Sequence, residues 1–473
     1  MSTTAQTPTQ SRATTWVALV KEAVFGSRQD FTAIAINRAI VLLAVPMVLE
    51  MAMESLFGIV DIFFVAHLGA DATATVGITE GMLYIVMSIA VGLSMGTTAV
   101  VARRTGERNK DGAAGAAVQS IIMGIACAAV IFAAFFPFAP RLLALMGASP
   151  GILHVGSTYS RIMLSGSGII LMLFLINAIF RGAGDAAVAM RVLWVANIIN
   201  IVLDPCLIMG LGPFPKLGVT GAAVSTTIGR SVGILYQIYL LRRGTGRMDV
   251  HRRHLRLDFG VMKTILRIAG NGVLQFMVAT ASWIALIRLV QSFGSAATAG
   301  YTVAIRIVIF SILPSWGLSS AAATLVGQNL GAKEPDRAEQ CVWRAAFFNM
   351  VFLATVSLIY LAFAPHIVGI FSRDPVVIHY GANCLRIISS CYVIYAYGMV
   401  IVQAFNGAGD TRTPTLINLV SFWIVQLPLA YFLGRGLQLG PNGIFFAILI
   451  SEVLLAMIAI YVFRLGRWKR KVV

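Results

Sequence analysis

The sequence predicts an all-α membrane protein, with twelve transmembrane helices in two pseudo-symmetric six-helix lobes. Three observations carry this. Of 473 residues, 58% are hydrophobic and 12% charged, with a mean hydropathy of +0.85, whereas soluble domains are about a quarter charged. The apolar residues form continuous runs of about 20 or more, long enough to cross a bilayer core of roughly 30 Å as helices, unlike the short alternating strands of an outer-membrane barrel. The chain also matches itself at an offset of 225 residues, where Phe180-Arg181-Gly182-Ala183-Gly184-Asp185 aligns with Phe405-Asn406-Gly407-Ala408-Gly409-Asp410. The same register sets Gly69 on Gly294, Gly92 on Gly317, Gly106 on Gly331 and Gly218 on Gly443.

Taken in order, span one (38–66) closes at His67-Leu68-Gly69, and span two (72–100) stops before Arg103 and Arg104. Span three (112–136) precedes Arg141, and span four (156–180) ends at the Arg181–Asp185 turn. Span five (188–210) contains Pro205, and span six (219–241) runs from Gly218 into a basic stretch. The second half repeats the plan: 263–291 and 297–326 flank Gly294, 338–363 follows Gly331, and 380–404 leads to the Asn406–Asp410 turn. The last two spans are 413–433, with Pro428, and 443–465. Six spans per half give both halves one orientation, a parallel repeat about the membrane normal. The expected divisions are a cytoplasmic arm and interfacial segment (1–37), an N-lobe (38–241), a basic linker (242–262), a C-lobe (263–465) and a basic tail (466–473).

The net charge of +17 reads as topology rather than nucleic-acid binding. Arg103, Arg104, Arg108 and Lys110 share one loop, and Arg242, Arg243, Arg247, Arg252, Arg253 and Arg256 share another. Arg464, Arg467, Lys469, Arg470 and Lys471 form the tail, while alternate loops hold only Arg141, Lys216, Arg373 and Arg435. The positive-inside rule then puts both termini in the cytoplasm of a prokaryotic inner membrane. The Ser/Thr-rich stretch Met1 to Thr15 lacks the layout of a cleaved signal. Cys127, Cys206, Cys341, Cys384 and Cys391 lie in apolar runs without metal-ligand spacing and read as packing residues.

Ionisable residues inside membrane helices are costly, so function is their default reading. Glu50, Glu54 and Asp61 fall within an arc of about 40° on span one and should face a cleft or a polar neighbour. Span five offers Asn197, Asn200 and Asp204, with Asn200 and Asp204 one turn apart. Asn177 in span four and Thr226 in span six add neutral oxygens. Such a set can ligate Na+ or share a proton. The repeat places Gln275, Ala279, Leu286 and Leu429 opposite Glu50, Glu54, Asp61 and Asp204, so the acids belong to one half only. Glu80 and Glu452 are further acids for a substrate or proton pathway. Pro46 and Pro205 are candidate hinges, because proline frees a carbonyl and permits a bend. Gly182-x-Gly184-x-x-Ala187 follows a membrane helix rather than a strand, so it is a tight loop and not a dinucleotide site. No Walker sequence, His/Cys cluster or nucleophile elbow occurs; neither an enzyme nor a cofactor is expected.

The chain resembles the multidrug and toxic compound extrusion (MATE) family over nearly its full length. The resemblance rests on Asp61 with His67-Leu68-Gly69, on Ala102-Arg103-Arg104-Thr105-Gly106, and on Arg181-Gly182-Ala183-Gly184-Asp185. Asn200-Ile201-Val202-Leu203-Asp204-Pro205 and Gly327-Gln328-Asn329-Leu330-Gly331-Ala332 complete it. It implies two lobes around a cleft and export of organic cations or amphiphiles by H+ or Na+ antiport. In the archaeal and DNA-damage-inducible bacterial subgroup, the N-lobe cation site corresponds here to Asp61, Asn177, Asn200, Asp204 and Thr226. Glu50 and Glu54 lie outside that pattern. The expectation is a monomeric exporter working by alternating access, with a lipid-precursor flippase as the alternative.

Overall fold

In a bilayer every backbone N–H and C=O must be paired internally, which leaves helices as the solution for these apolar runs. A computed structural model describes residues 16–473 apart from 245, 246 and 249, with the side chain of Arg252 also outside the description. The arm expected at Met1 to Thr15 lies outside the described residues. A short helix, α1 (Trp16–Phe25), precedes the first span and exposes Trp16, Val17 and Phe25.

The first half comprises α2 (Ile36–Ala66), α3 (Ala70–Gly106), α4 (Lys110–Phe135), α5 (Ala139–Leu145), α6 (Pro150–Gly182), α7 (Ala186–Met209) and α8 (Val219–Arg243). The second comprises α9 (Phe259–Gln291), α10 (Ser295–Gly331), α11 (Pro335–Gly369), α12 (Pro375–Ser389), α13 (Tyr392–Gly407), α14 (Arg412–Asn418), α15 (Leu427–Tyr431) and α16 (Pro441–Arg464). Among the described residues, ten helical segments are long and apolar enough to cross a membrane alone, and the bent pair α12–α13 forms an eleventh span. The twelfth is α8, whose 25 residues reach about 37 Å but include Ser225, Thr226, Thr227, Arg230 and Gln237. Its polarity is tolerated because that face is covered by α6 and α7.

Several places depart from the plain expectation. Spans two, eight and nine, expected to end at 100, 326 and 363, run on to Gly106, Gly331 and Gly369, so Arg103 and Arg104 stand in the last turn of α3 and not in a loop. Span four begins at Pro150, six residues before the expected 156, because the Ser149 hydroxyl caps it by accepting from the Ile152 N–H. Span ten, expected unbroken over 380–404, bends by 61° between α12 and α13. There Ser389, Ser390 and Cys391 turn their side chains onto the carbonyls of Arg386, Ile387 and Ile388, competing with the next helical turn. Span eleven, expected at 413–433, runs over Arg412–Gly436 and widens into π-helix at Leu419–Gln426 and Phe432–Gly436. These stretches flank Pro428, which has no N–H to give. By contrast α2 passes Pro46, and α7 passes Pro205, as continuous helices.

Two of the duplicated glycine pairs, Gly92 with Gly317 and Gly106 with Gly331, form the seam between the lobes. A methyl on Gly106 would sit 1.9 Å from the Gln328 carbonyl oxygen, and one on Gly331 would sit 2.2 Å from that of Arg103. Arg103 and Gln328 are themselves repeat partners. Gly92 likewise meets Val273 while Gly317 meets Met47 and Val48, and Val48 and Val273 are repeat partners. These reciprocal contacts place a pseudo-two-fold axis between α3 and α10. At the basic end the seam is reinforced: Gln328 donates to the Gly182 carbonyl at 3.0 Å and Arg103 to the Lys471 carbonyl at 2.7 Å.

Candidate functional site: a ladder of charge in the first half

Glu50 is fully buried and sits at the lowest rung, nearest the basic end. Its Oε1 accepts from Arg181 Nη1 and from Asn177 Nδ2, both at 3.0 Å. Gln237 of α8 then donates to Asn177 Oδ1 at 2.7 Å. One turn along α2, Glu54 accepts from both guanidinium ends of Arg230, at 2.6 and 3.2 Å, and from Asn197 Nδ2 at 3.0 Å. Arg230 also lies over the Phe57 ring, 4.9 Å from its centroid. Each rung is an acid neutralised by an arginine from another helix, the arrangement that makes a buried carboxylate tolerable.

The third rung has no arginine bound to it. Asp61 of α2 lies within electrostatic reach of Asp204, Glu80 and Arg230. Asp204 is fully buried; it accepts a short hydrogen bond from Ser225 Oγ through Oδ1. Asn200 donates to Thr226 Oγ1 at 3.0 Å. Among the described residues, Asp61 Oδ1, Asn200 Oδ1 and Asp204 Oδ2 are buried without a hydrogen-bond partner. Tyr159 of α6 is also within reach of Asp61, Glu80 and Asp204.

The structure therefore gathers Asp61, Asn200, Asp204 and Thr226 into one neighbourhood but seats Asn177 with Glu50 instead. Asn197 joins Glu54. Glu80 faces Arg306 of the other half, and Glu452 stands in the second half within reach of Cys391 and Tyr395, its Oε2 unpartnered. Pro205 lies four residues before the end of α7 at Met209, beside Asp204. Among the described residues no three His, Cys, Asp or Glu side chains converge as a metal-binding group.

Sequence reasoning named Arg181 only within a turn and gave no site role to Ser225, Arg230 or Gln237. The signal was present: the repeat sets Arg181 on Asn406 and Arg230 on Leu455, so the bases break the symmetry as the acids do.

Between the halves lies a cavity of about 290 Å³, whose wall includes Glu54, Arg181, Met87, Phe276, Trp316 and Gln403. A seam of glycines, a central cavity and a charge ladder in the first copy of the repeat describe two lobes meeting around a cleft. The MatE family model matches residues 46–206 and 273–432, once in each half. The chain belongs to the MatE family.

Among MatE relatives, the chain is 26% identical over 439 residues to a probable multidrug resistance protein NorM of Thermotoga maritima, covering 93% of this chain and 94% of that protein. It is 25% identical to an FAD transporter of Shewanella oneidensis, covering 92% and 96%. The outward-facing structure of a multidrug resistance MATE family transporter superposes with a TM-score of 0.87 at 27% identity, over 93% of this chain and 98% of that one.

Proposed function

We propose that this MatE protein is a secondary active exporter of small amphiphilic organic compounds, driven by exchange for H+ or Na+ at an N-lobe site. The observation that supports this most is the set of three buried acceptors without donors, on Asp61, Asn200 and Asp204. Buried acceptors left unmade cost free energy, and a proton or Na+ supplies what they lack. Thr226 Oγ1 and Ser225 Oγ stand beside them as further oxygens. If the ion is held in one conformation and released in the other, its gradient biases the exchange between them. Pro46 and Pro205 lie on the two helices that carry the site, where a change in ion occupancy can be converted into a bend. The basic end, with both termini, faces the cytoplasm of the inner membrane, and the exporter works as a monomer.

The relatives include a probable multidrug resistance protein and an FAD transporter, so membership of the family leaves the cargo open. Flipping of an anionic lipid precursor calls for a free basic surface in the cleft. Here the cavity's Arg181 is held by Glu50, Arg230 by Glu54, and Arg306 faces Glu80, so each base already has an acid, which favours export. The test is dye efflux from proteoliposomes with pH and Na+ gradients imposed separately. Efflux that follows one gradient names the ion; efflux indifferent to both defeats the proposal.

A further inference from the structure

The two ion-paired rungs of the ladder present opposite charges to the cavity. In the first pair Arg181 is the outer member, 13% exposed, and Glu50 behind it is 0% exposed. In the second the order reverses: Glu54 is the outer member at 21% and Arg230 the inner at 5%. Arg181 and Glu54 line the central cavity; Glu50 and Arg230 do not. Glu50 and Glu54 are four residues apart on α2, so the two pairs are offset by about 6 Å along the helix. The rest of the wall is mostly apolar and adaptable, with Met51, Met87, Met95, Phe174 and Trp316 beside neutral polar side chains such as Thr98, Ser320 and Gln403.

Among the described residues, the C-lobe side of the cavity wall adds no charged side chain. Asn406, the repeat partner of Arg181, lines the same cavity and donates to Gln403 Oε1 at 2.9 Å. Its own Oδ1 is buried without a partner.

Resting on the transport reading above, we propose that the central cavity selects dipolar amphiphiles: an ammonium group against Glu54, a carboxylate or similar acceptor against Arg181, and an apolar body among the methionines and rings. The four ladder charges sum to zero. A ligand with one charge of either sign leaves a net charge in a poorly solvated cavity, whereas a zwitterion meets both outer groups and leaves none.

Three dansyl probes share one fluorophore and differ in charge: ε-dansyl-lysine carries both groups, dansylcadaverine only the ammonium, and dansylglycine only the carboxylate. Equilibrium binding to the full chain in nanodiscs at neutral pH, with no gradient, should rank ε-dansyl-lysine about tenfold or more above both others, the worth of one added charge-assisted contact. Arg181→Gln should bring its affinity down to that of dansylcadaverine. Because that change leaves Glu50 buried without its arginine, the double variant E50Q/R181Q is measured beside it and should show the same loss. Either singly charged probe binding as tightly as the zwitterion, or a preference that survives in E50Q/R181Q, would overturn the proposal. If both variants fail to fold, the wild-type ranking alone decides. Without a gradient, a failure here leaves ion-driven export untouched, and indifference to gradients in efflux leaves this ranking untouched.

Discussion

The two halves of this chain solve the same packing problem with different chemistry. In the second half, Ser282, Gln426 and Ser451 form a neutral relay between α9, the π-helical stretch and α16, at 2.9 and 2.7 Å, with both ends of the Gln426 amide used. In the first half, the region around α2, α6, α7 and α8 holds four carboxylates and two arginines, and among the described residues Glu50, Asp61 and Asp204 each keep an unpartnered oxygen. Even the indole contact that ties span five to span one recurs: Trp194 donates to the Leu49 carbonyl and Trp423 to that of Val278. The second contact sits one turn further along both helices. Duplication preserved the way the helices meet and did not preserve charge. A saturated neutral network holds helices together; an unsaturated charged one can also take up a ligand.

The comparison is broken most sharply at Asp61. Asp61→Asn should reduce gradient-driven efflux in proteoliposomes to the background of empty vesicles, with insertion and melting temperature nearly unchanged. Wild-type efflux from this variant would mean that the unsaturated rung is packing, like its C-lobe counterpart. Arg230→Met comes next, because it strands Glu54 beside a cavity without its cation. Loss of one partner of a buried pair costs about 3–5 kcal/mol, read as a lowered melting temperature in detergent, and E54M/R230M should recover most of it.

Gly331→Ala tests the seam shared by both halves. The methyl meets the Arg103 carbonyl at 2.2 Å, so an overpacking cost of about 1–3 kcal/mol should loosen the basic end. Spin labels at positions 107 and 333 should then report a longer or broader distance. The smallest effect is expected from Gln426→Leu: about 1 kcal/mol for the lost neutral hydrogen bonds, with efflux unchanged. A loss of efflux there would show that the C-lobe relay does more than pack.

Much of the scaffold was legible in one dimension. Hydropathy located the spans because a membrane helix must be apolar along its length, and the repeat was visible because glycines at the seam have no tolerance for a side chain. The bend at Ser389–Cys391 and the π-helical stretches were not legible. Serines and prolines occur in many straight membrane helices, including α2 and α7, and only the neighbours decide which of them yields. The acids of α2 could be placed on one stripe from their spacing, but their partners could not. Arg181 is 131 positions from Glu50, and Arg230 is 176 from Glu54, distances at which helical periodicity carries no information.

By itself, then, the sequence determined that twelve helices would be arranged as two parallel copies, and that Glu50, Glu54, Asp61 and Asp204 would have no acidic counterpart in the second. These properties follow from local composition and from comparing one half with the other. Only the tertiary structure decided which charges cancel and which stay open, that Asn177 serves Glu50 and not Asp204, and that the cavity sees one arginine and one glutamate. Those outcomes depend on which side chains from distant helices come within 3 Å of one another, and that is settled by packing in three dimensions.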